Sequence, residues 1–156
     1  MRIGRRLGID VGDARIGVAS CDPHGMIATP VETISAGDTA IGRLVELATE
    51  YEVIECVVGL PLGLSGKEGP ASVKVRDFAN ELAAAVLPIS VRLVDERMST
   101  ITAQGQLHAS GKNTKKSRAV IDQAAAVVIL QTAIDAEKLR GEAPGELVKV
   151  VIDGIE

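Results

Sequence analysis

Aromatic side chains are almost missing from this sequence of 156 residues, which holds one Tyr, one Phe and no Trp. The core must therefore consist of Val, Ile, Leu and Ala, and stacking of bases on aromatic rings is excluded as a main mode of nucleic-acid binding. Cysteine is scarce as well. Cys21 and Cys56 lie in apolar runs without metal-ligand spacing, so we interpret them as small core residues, although a disulfide between them or between two chains stays open.

Long apolar runs and an excess of basic charge are also absent. No run approaches the roughly 18 residues of a membrane span, and no signal-peptide segment follows the first arginines, so we expect a cytoplasmic protein without a membrane partner. With 17 basic and 21 acidic residues the net charge is −4, which argues against a surface that coats nucleic acid nonspecifically. A local basic patch is still allowed.

The remaining composition is typical of one folded domain. Hydrophobic residues make up 46% and charged residues 24% of the sequence, and its length is too short for two ordinary domains. We assign residues 1–140 to the folded domain. Residues 141–156 form a C-terminal tail, which is either an added edge strand or flexible.

The pattern of apolar residues predicts an α/β fold with a five-stranded mixed sheet flanked by helices. Alternating residues predict a hairpin in the first 21 residues, followed by a third strand from Met26 to Ile34 that carries Pro30 and is therefore an edge. The apolar run from Ile54 to Leu60 predicts a strand buried on both faces, and another strand covers Ile89 to Val94. An antiparallel meander is thus followed by two parallel strands.

Helical spacing predicts four helices. The first follows the cap candidate Asp38 and runs for about four turns, and the second is opened by Pro70 and ends before Pro88. A short helix is expected from residue 99 or 100 to about 109, and a long one runs from Arg118 to about Leu139.

Acidic residues occur at three places where packing does not explain them. Asp10 stands near the end of the first strand, among glycines that leave room for a ligand, although it would also suit the amides of the following turn. Asp95 and Glu96 follow the fifth strand, whose end lies at the same sheet edge, and alternation leaves open which of them faces the side of Asp10. Asp122 lies on the long helix, on a face that otherwise predicts burial.

Carboxylates that converge from three segments are typical ligands of Mg²⁺ or Mn²⁺. Two such ions can activate a water molecule and stabilise the leaving oxygen of a phosphodiester. A basic loop from Lys112 to Arg118 precedes Asp122 and would hold the phosphates on either side of the cut. Each feature also has a structural interpretation, because strand ends, helix N-termini and solvated loops all accommodate charged residues.

Four motifs cover the chain up to about Gln131. They are Gly8-Ile9-Asp10-Val11-Gly12 with Arg15-Ile16-Gly17-Val18-Ala19, Val58-Gly59-Leu60-Pro61, Val94-Asp95-Glu96-Arg97-Met98-Ser99-Thr100, and Lys116 with Asp122-Gln123-Ala124-Ala125-Ala126. Together, and in this order, they closely resemble the YqgF/RuvX family of Holliday junction resolvases and pre-ribosomal-RNA nucleases.

The resemblance implies a ribonuclease H-like fold and a catalytic, metal-binding triad of Asp10, Glu96 and Asp122, which selects Glu96 over Asp95. The implied activity is hydrolysis of phosphodiester bonds with Mg²⁺ or Mn²⁺, two ions in all, during maturation of the 5′ end of pre-16S ribosomal RNA. The similarity to junction resolvases favours branched DNA as the alternative substrate.

Roles follow for the residues of that triad and for the basic residues. Asp10 would bridge the metal ions, while Glu96 and Asp122 would each complete one coordination sphere. Residues 59–69 would form a mobile loop over the substrate. Six basic residues would neutralise substrate phosphates: Arg15, Arg97, Lys112, Lys115, Lys116 and Arg118.

Two other functions remain open. An actin-like or sugar-kinase ATPase also begins with Asp-x-Gly on a strand, but such enzymes need two lobes and this chain has residues for one. A nucleic-acid-binding or ribosome-associated module without catalysis would agree with the acidic net charge. The sequence does not decide between structured RNA and branched DNA, nor between a monomer and the two-fold homodimer that a junction resolvase requires.

Overall fold

The computed structural model describes residues 1–63, 65–96 and 115–150, with the backbone alone at 115–120. The short helix predicted near residues 99–109 lies outside these residues, as do the candidate phosphate ligands Arg97 and Lys112. Within the described ranges, no helix has the length and apolar character needed to cross a membrane.

One mixed sheet of six strands forms the centre of the described structure, in the order β3-β2-β1-β4-β5-β6. The first three strands pair antiparallel, and β1, β4 and β5 pair parallel, as predicted. The strands are β1 (Arg5–Val11), β2 (Arg15–Cys21), β3 (Ala28–Ser35), β4 (Val53–Leu60), β5 (Ser90–Asp95) and β6 (Glu146–Leu147).

The sixth strand corrects the prediction of five. Glu146–Leu147 pairs antiparallel with β5, and the next residue, Val148, donates its N–H to the carbonyl of Val91 at 2.8 Å. Val148 is buried against the core that includes Val91. For the tail, the sequence left an added edge strand open beside a flexible segment, and the structure shows the edge strand at Glu146–Leu147. The sequence could not decide because two residues are too short to show a strand period.

The opposite edge of the sheet is β3, as Pro30 predicted. Pro30 lies opposite Ala19, next to a register shift between Val18 and Ala19. Proline has no N–H to donate to a ladder, so an edge position beside an irregularity is where a sheet tolerates it.

Three helices flank the sheet in the described part: α1 (Ala40–Glu50), α2 (Pro70–Val86) and α3 (Lys115–Arg140). The helices α1 and α2 cover one face, and α3 covers the other. Helix α2 begins at Pro70 and ends before Pro88, as predicted.

Two helix starts differ from the prediction. Asp38 is not the cap of α1, because the capping position is Thr39, which makes no side-chain cap hydrogen bond, and α1 has 11 residues rather than four turns. Helix α3 begins at Lys115, so Lys115, Lys116 and Arg118 belong to its first turns and not to a loop. Lysine and arginine are good helix formers, which allows the helix to extend into this basic segment.

Helix α3 lies unusually close to the sheet at two glycines. A Cβ atom on Gly17 would lie 2.0 Å from the carbonyl oxygen of Asp122, and one on Gly8 would lie 2.6 Å from Cβ of Leu130. Because the alternation of a strand puts Gly8 and Asp10 on the same face, this contact places the N-terminal half of α3 beside Asp10.

A buried ionic network joins the C-terminal half of α3 to the start of β1. Arg6 and Glu137 are 1% and 3% exposed, and Arg6 donates to Glu137 at 3.0 Å. Arg2 bridges Glu137 and Glu55 at 2.7 and 2.8 Å, and Arg92 donates to Glu55 at 2.9 Å. Since both carboxylates have arginine partners, neither buried negative charge is left uncompensated, and the network holds α3 at this end.

The two cysteines lie on opposite faces of the sheet. Cys21 packs in the core under α3, whereas Cys56 packs in the core under α1 and α2, and both are free thiols. Burial raises the pKa of both thiols, that of Cys56 to about 12. A disulfide between them is therefore excluded, and both act as core residues.

We predict that Gly17→Ala lowers the free energy of unfolding by about 1–3 kcal/mol, because backbone atoms of α3 must move to admit the new methyl group. Urea unfolding followed by circular dichroism measures this. The control is Gly42→Ala, at an exposed position of α1 with no atom within 4 Å of the added Cβ, which should raise stability by up to about 1 kcal/mol. Equal effects of both substitutions would contradict the close contact.

We predict that Glu137→Ala costs about 3–5 kcal/mol, because it leaves the buried Arg6 guanidinium without its carboxylate. The matched control is Glu32→Ala, which removes the partner of Arg43 from a pair that is 37% and 33% exposed and should cost at most about 1 kcal/mol. Thermal melting of both variants tests the difference. A loss for Glu137→Ala as small as that for Glu32→Ala would show that the network does not hold α3.

Candidate active site at the carboxyl edge of the sheet

Asp10 lies near the carboxyl end of β1, the central strand, and on the face covered by α3. It pairs in the ladder with Gly17 of β2, and the position above Gly17 is taken by the backbone of Asp122. Residues directly opposite each other in an antiparallel pair have Cβ positions about 4.5–5.5 Å apart on the same face. The missing side chain at Gly17 is therefore the reason that Asp122 comes close to Asp10.

Glu96, rather than Asp95, lies on the side of Asp10. Alternation along β5 gives Glu96 the orientation of Val94, which packs in the core under α3, whereas Asp95 has the orientation of Leu93 in the opposite core. The N–H of Glu96 donates to the carbonyl of Leu60 at 3.3 Å, which keeps this residue beside the end of β4.

Gly59 makes the room that the Glu96 side chain occupies. A Cβ atom on Gly59 would lie 2.7 Å from Oε2 of Glu96 and 2.7 Å from Cδ1 of Ile129 on α3. A glycine inside a strand often marks such a close approach. The carboxyl group of Glu96 consequently reaches across the end of β4 toward β1.

Asp10 and Glu96 share a side-chain hydrogen bond. Burial raises the pKa of Asp10, and the nearby charge of Asp122 raises it further. Burial likewise raises the pKa of Glu96, as does the charge of Asp10. A hydrogen bond between two carboxyl groups requires a proton, so the structure favours one negative charge on this pair over two.

Asp122 is paired with Arg15. Nε of Arg15 donates to Oδ2 of Asp122 at 2.7 Å, with side chains 40% and 19% exposed. Arg15 is the first residue of β2 and has the orientation of Gly17, so it lies on the face of α3 like the three acids.

Of the six candidate phosphate ligands, the structure describes the side chain of Arg15 alone. Arg15 is at the site, but its side chain binds Asp122. Lys115, Lys116 and Arg118 lie in the first turns of α3, on the N-terminal side of Asp122, with their side chains outside the description. Arg97 and Lys112 lie outside the described residues altogether.

The donor chemistry of Asp10, Glu96 and Asp122 fits a hard divalent cation, because carboxylate oxygens are the protein ligands that Mg²⁺ and Mn²⁺ prefer. The space that Gly59 leaves for Glu96 agrees with such a site. Among the residues the structure describes, however, no three His, Cys, Asp or Glu side chains are already grouped to bind a metal. Instead, two of the acids, Asp10 and Glu96, interact with each other, and the third, Asp122, binds Arg15.

Sequence reasoning missed the roles of Gly17 and Gly59. Both interrupt strands of otherwise branched or larger apolar residues, and that interruption was the available signal. It also missed Gln123, whose side-chain amide donates to Oγ1 of Thr33 at 2.9 Å and joins α3 to β3 beside Asp122.

A cavity of about 820 Å³ lies at the other end of β1 and β2, lined by residues such as Arg5, Cys21 and Tyr51. It is not near the three acids, which lie at an open edge of the sheet. A nucleic-acid strand is bound across an open surface, so the position of a cavity does not argue against the site at Asp10.

Curated relatives are similar to the chain over almost its full length. The chain is 62% identical over 154 residues to a protein of Streptomyces avermitilis, which covers 97% of this chain and 99% of that protein. It is 58% identical over 156 residues to a protein of Nocardioides sp., which covers 96% and 99%. Both relatives carry the name "Putative pre-16S rRNA nuclease".

Among solved structures, the fold resembles that of RuvC from Thermus thermophilus in complex with a Holliday junction substrate. The TM-score is 0.55 at 15% identity, with 90% of this chain and 99% of that chain covered. This likeness establishes the ribonuclease H-like α/β fold. The family described as "RuvX: Holliday junction resolvase" matches residues 4–136, and the chain therefore belongs to the RuvX family of nucleic-acid-cleaving hydrolases.

Proposed function

We propose that this protein hydrolyses phosphodiester bonds with the help of divalent cations and that its physiological substrate is the 5′ end of pre-16S ribosomal RNA. The observation that carries the proposal is the convergence of Asp10, Glu96 and Asp122 at the carboxyl edge of the sheet. Burial of Asp10 and Glu96 beside a third acid disfavours their ionised forms, and a bound cation would favour those forms.

The three acids have separate roles in this proposal. Asp10 is on the central strand between the other two and would contact both of two Mg²⁺ or Mn²⁺ ions. Glu96 and Asp122 would each complete one coordination sphere. Bound ions of this kind activate water and stabilise the leaving oxygen of a phosphodiester.

In this proposal the basic residues bind the phosphates of the substrate. Arg15 at the site would bind a phosphate, and the first turns of α3, which precede Asp122 in the helix, contain three more basic residues. Their contribution is positioning of the sugar-phosphate backbone rather than recognition of bases. We assign this role to Arg15, Arg97, Lys112, Lys115, Lys116 and Arg118.

Ribosomal RNA is the preferred substrate because relatives that are 62% and 58% identical carry that name. The solved RuvC complex with a junction is only 15% identical, which supports a common fold and not a common substrate. We expect the protein to act in the cytoplasm, where bacterial ribosomes are assembled.

We predict that Asp10→Asn lowers the rate of Mg²⁺- or Mn²⁺-dependent cleavage by a factor of about 10³ or more while the protein stays folded, because the amide cannot provide the negative charge that the ions require. The assay is single-turnover cleavage of a labelled precursor RNA with a 5′ extension, with thermal melting as the check of folding.

The matched control for this assay is Asp13→Asn. Asp13 lies on the same hairpin, but its side chain is 92% exposed and pairs with Lys74 of α2. Cleavage by the Asp13→Asn variant should stay within about twofold of the parent. Cleavage by Asp10→Asn at the parental rate would refute the catalytic assignment.

A second prediction concerns the choice of substrate. We expect cleavage of the precursor RNA and none of a four-way DNA junction, by a protein that sediments as a monomer, since end processing needs one active site whereas symmetric resolution needs two. Analytical ultracentrifugation and parallel cleavage assays decide this. Symmetric cutting of the junction by a dimer would favour a resolvase, and binding without cutting of either substrate would favour a module without catalysis.

A further inference from the structure

Arg15 and Asp122 form the only ion pair that the described residues show within the group of three acids. The contact is short, at 2.7 Å, and joins the first residue of β2 to α3 across 107 positions of sequence. Asp122 is held on the sheet side of α3, because its own backbone rests on Gly17. In this position the Asp122 carboxylate lies against the guanidinium of Arg15.

The three acids do not have the same neighbours. The side chains of Asp10 and Glu96 face each other, whereas the carboxylate of Asp122 is paired with the guanidinium of Arg15. At Asp122, therefore, a side chain of the protein supplies positive charge of the kind that a divalent cation would bring to the same carboxylate.

We propose that Arg15 is a resident counter-cation that occupies Asp122 in the metal-free protein and competes with divalent cations for that carboxylate. The inference rests on the proposed function, because it assumes that Asp122 is a metal ligand. It explains why the described acids are not grouped as a metal site, although their chemistry fits one. Arg15 leaves Asp122 when the cation binds.

The exposure of the two side chains agrees with a replaceable partner. Arg15 is 40% exposed, so its guanidinium can turn into solvent at little cost, whereas Arg6 of the structural network is 1% exposed and has no such path. Ion pairs at that degree of exposure contribute little to stability. Replacing Arg15 should consequently change metal binding more than folding.

The test is a titration with Mn²⁺, in which electron paramagnetic resonance measures the free ion without any substrate. We expect Arg15→Gln to bind Mn²⁺ about three- to fivefold more tightly than the parent, because the cation no longer has to displace an ion pair. Arg15→Lys, which keeps the charge but loses the planar guanidinium, should give an intermediate affinity. Thermal melting should show all variants folded.

The control for a general effect of charge is Lys74→Gln. Lys74 pairs with Asp13 on the same hairpin but belongs to α2, on the opposite face of the sheet, so its removal should leave the affinity for Mn²⁺ unchanged within twofold. Equal tightening by Lys74→Gln and Arg15→Gln would overturn the proposal. Weaker or unchanged binding by Arg15→Gln would overturn it too, because Arg15 would then hold Asp122 in place for the metal or have no part in binding it.

The same titration separates this inference from the function on which it rests. Binding of Mn²⁺ that Asp10→Asn abolishes supports the metal site whatever the Arg15 variants do. If the parent and both Arg15 variants show no Mn²⁺ binding that Asp10→Asn removes, the metal dependence in the proposed function is refuted. The proposed competition between Arg15 and the cation is then refuted as well.

Discussion

The contact between the backbone of α3 and the glycines of β1 and β2 is the constraint on which the rest of the structure depends. At Gly8 and Gly17 no side chain separates helix from sheet, so the helix axis is fixed by backbone atoms that cannot adapt. Asp122 is carried to the edge of the sheet by this contact. Both the core under α3 and the arrangement of acids at its end follow from two positions that lack a Cβ atom.

Buried carboxylates at the two ends of α3 have different surroundings and opposite pKa shifts. At one end, burial opposes ionisation of Glu137, yet hydrogen bonds from Arg2 hold the pKa of that carboxyl below its usual range. At the other end, burial raises the pKa of Asp10 and Glu96, and among the interactions that the described part of the chain shows, neither carboxyl group has an arginine or lysine partner. The carboxylates of the network are thus paired with arginines, whereas Asp10 and Glu96 are the acids that the proposed function assigns to a cation.

Much of the fold could be predicted from the sequence, because the spacing of apolar residues that distinguishes strands from helices is a local property. The parallel and antiparallel strands, the edge position of Pro30 and the start of α2 at Pro70 all follow from residues within one element. The bounds of β6 and the extension of α3 to Lys115 could not be predicted, because two residues show no strand period and the basic segment before Asp122 shows no apolar helical period. Alternation left open whether Asp95 or Glu96 faces Asp10, whereas the family resemblance selected Glu96, in agreement with the packing of Val94 in the core under α3.

The pairing of Arg15 with Asp122 is of a different kind, because no property of either residue alone predicts it. From the sequence, Arg15 is interpreted as a phosphate ligand and Asp122 as a metal ligand, so each residue is assigned to a bound ligand and not to the other. They lie in contact because Gly17, two residues after Arg15, admits the helix that carries Asp122. The function proposed above requires a site that attracts two positive ions and a polyanion, and such a site needs carboxylates and basic groups side by side. In this structure two of those groups, Arg15 and Asp122, bind each other.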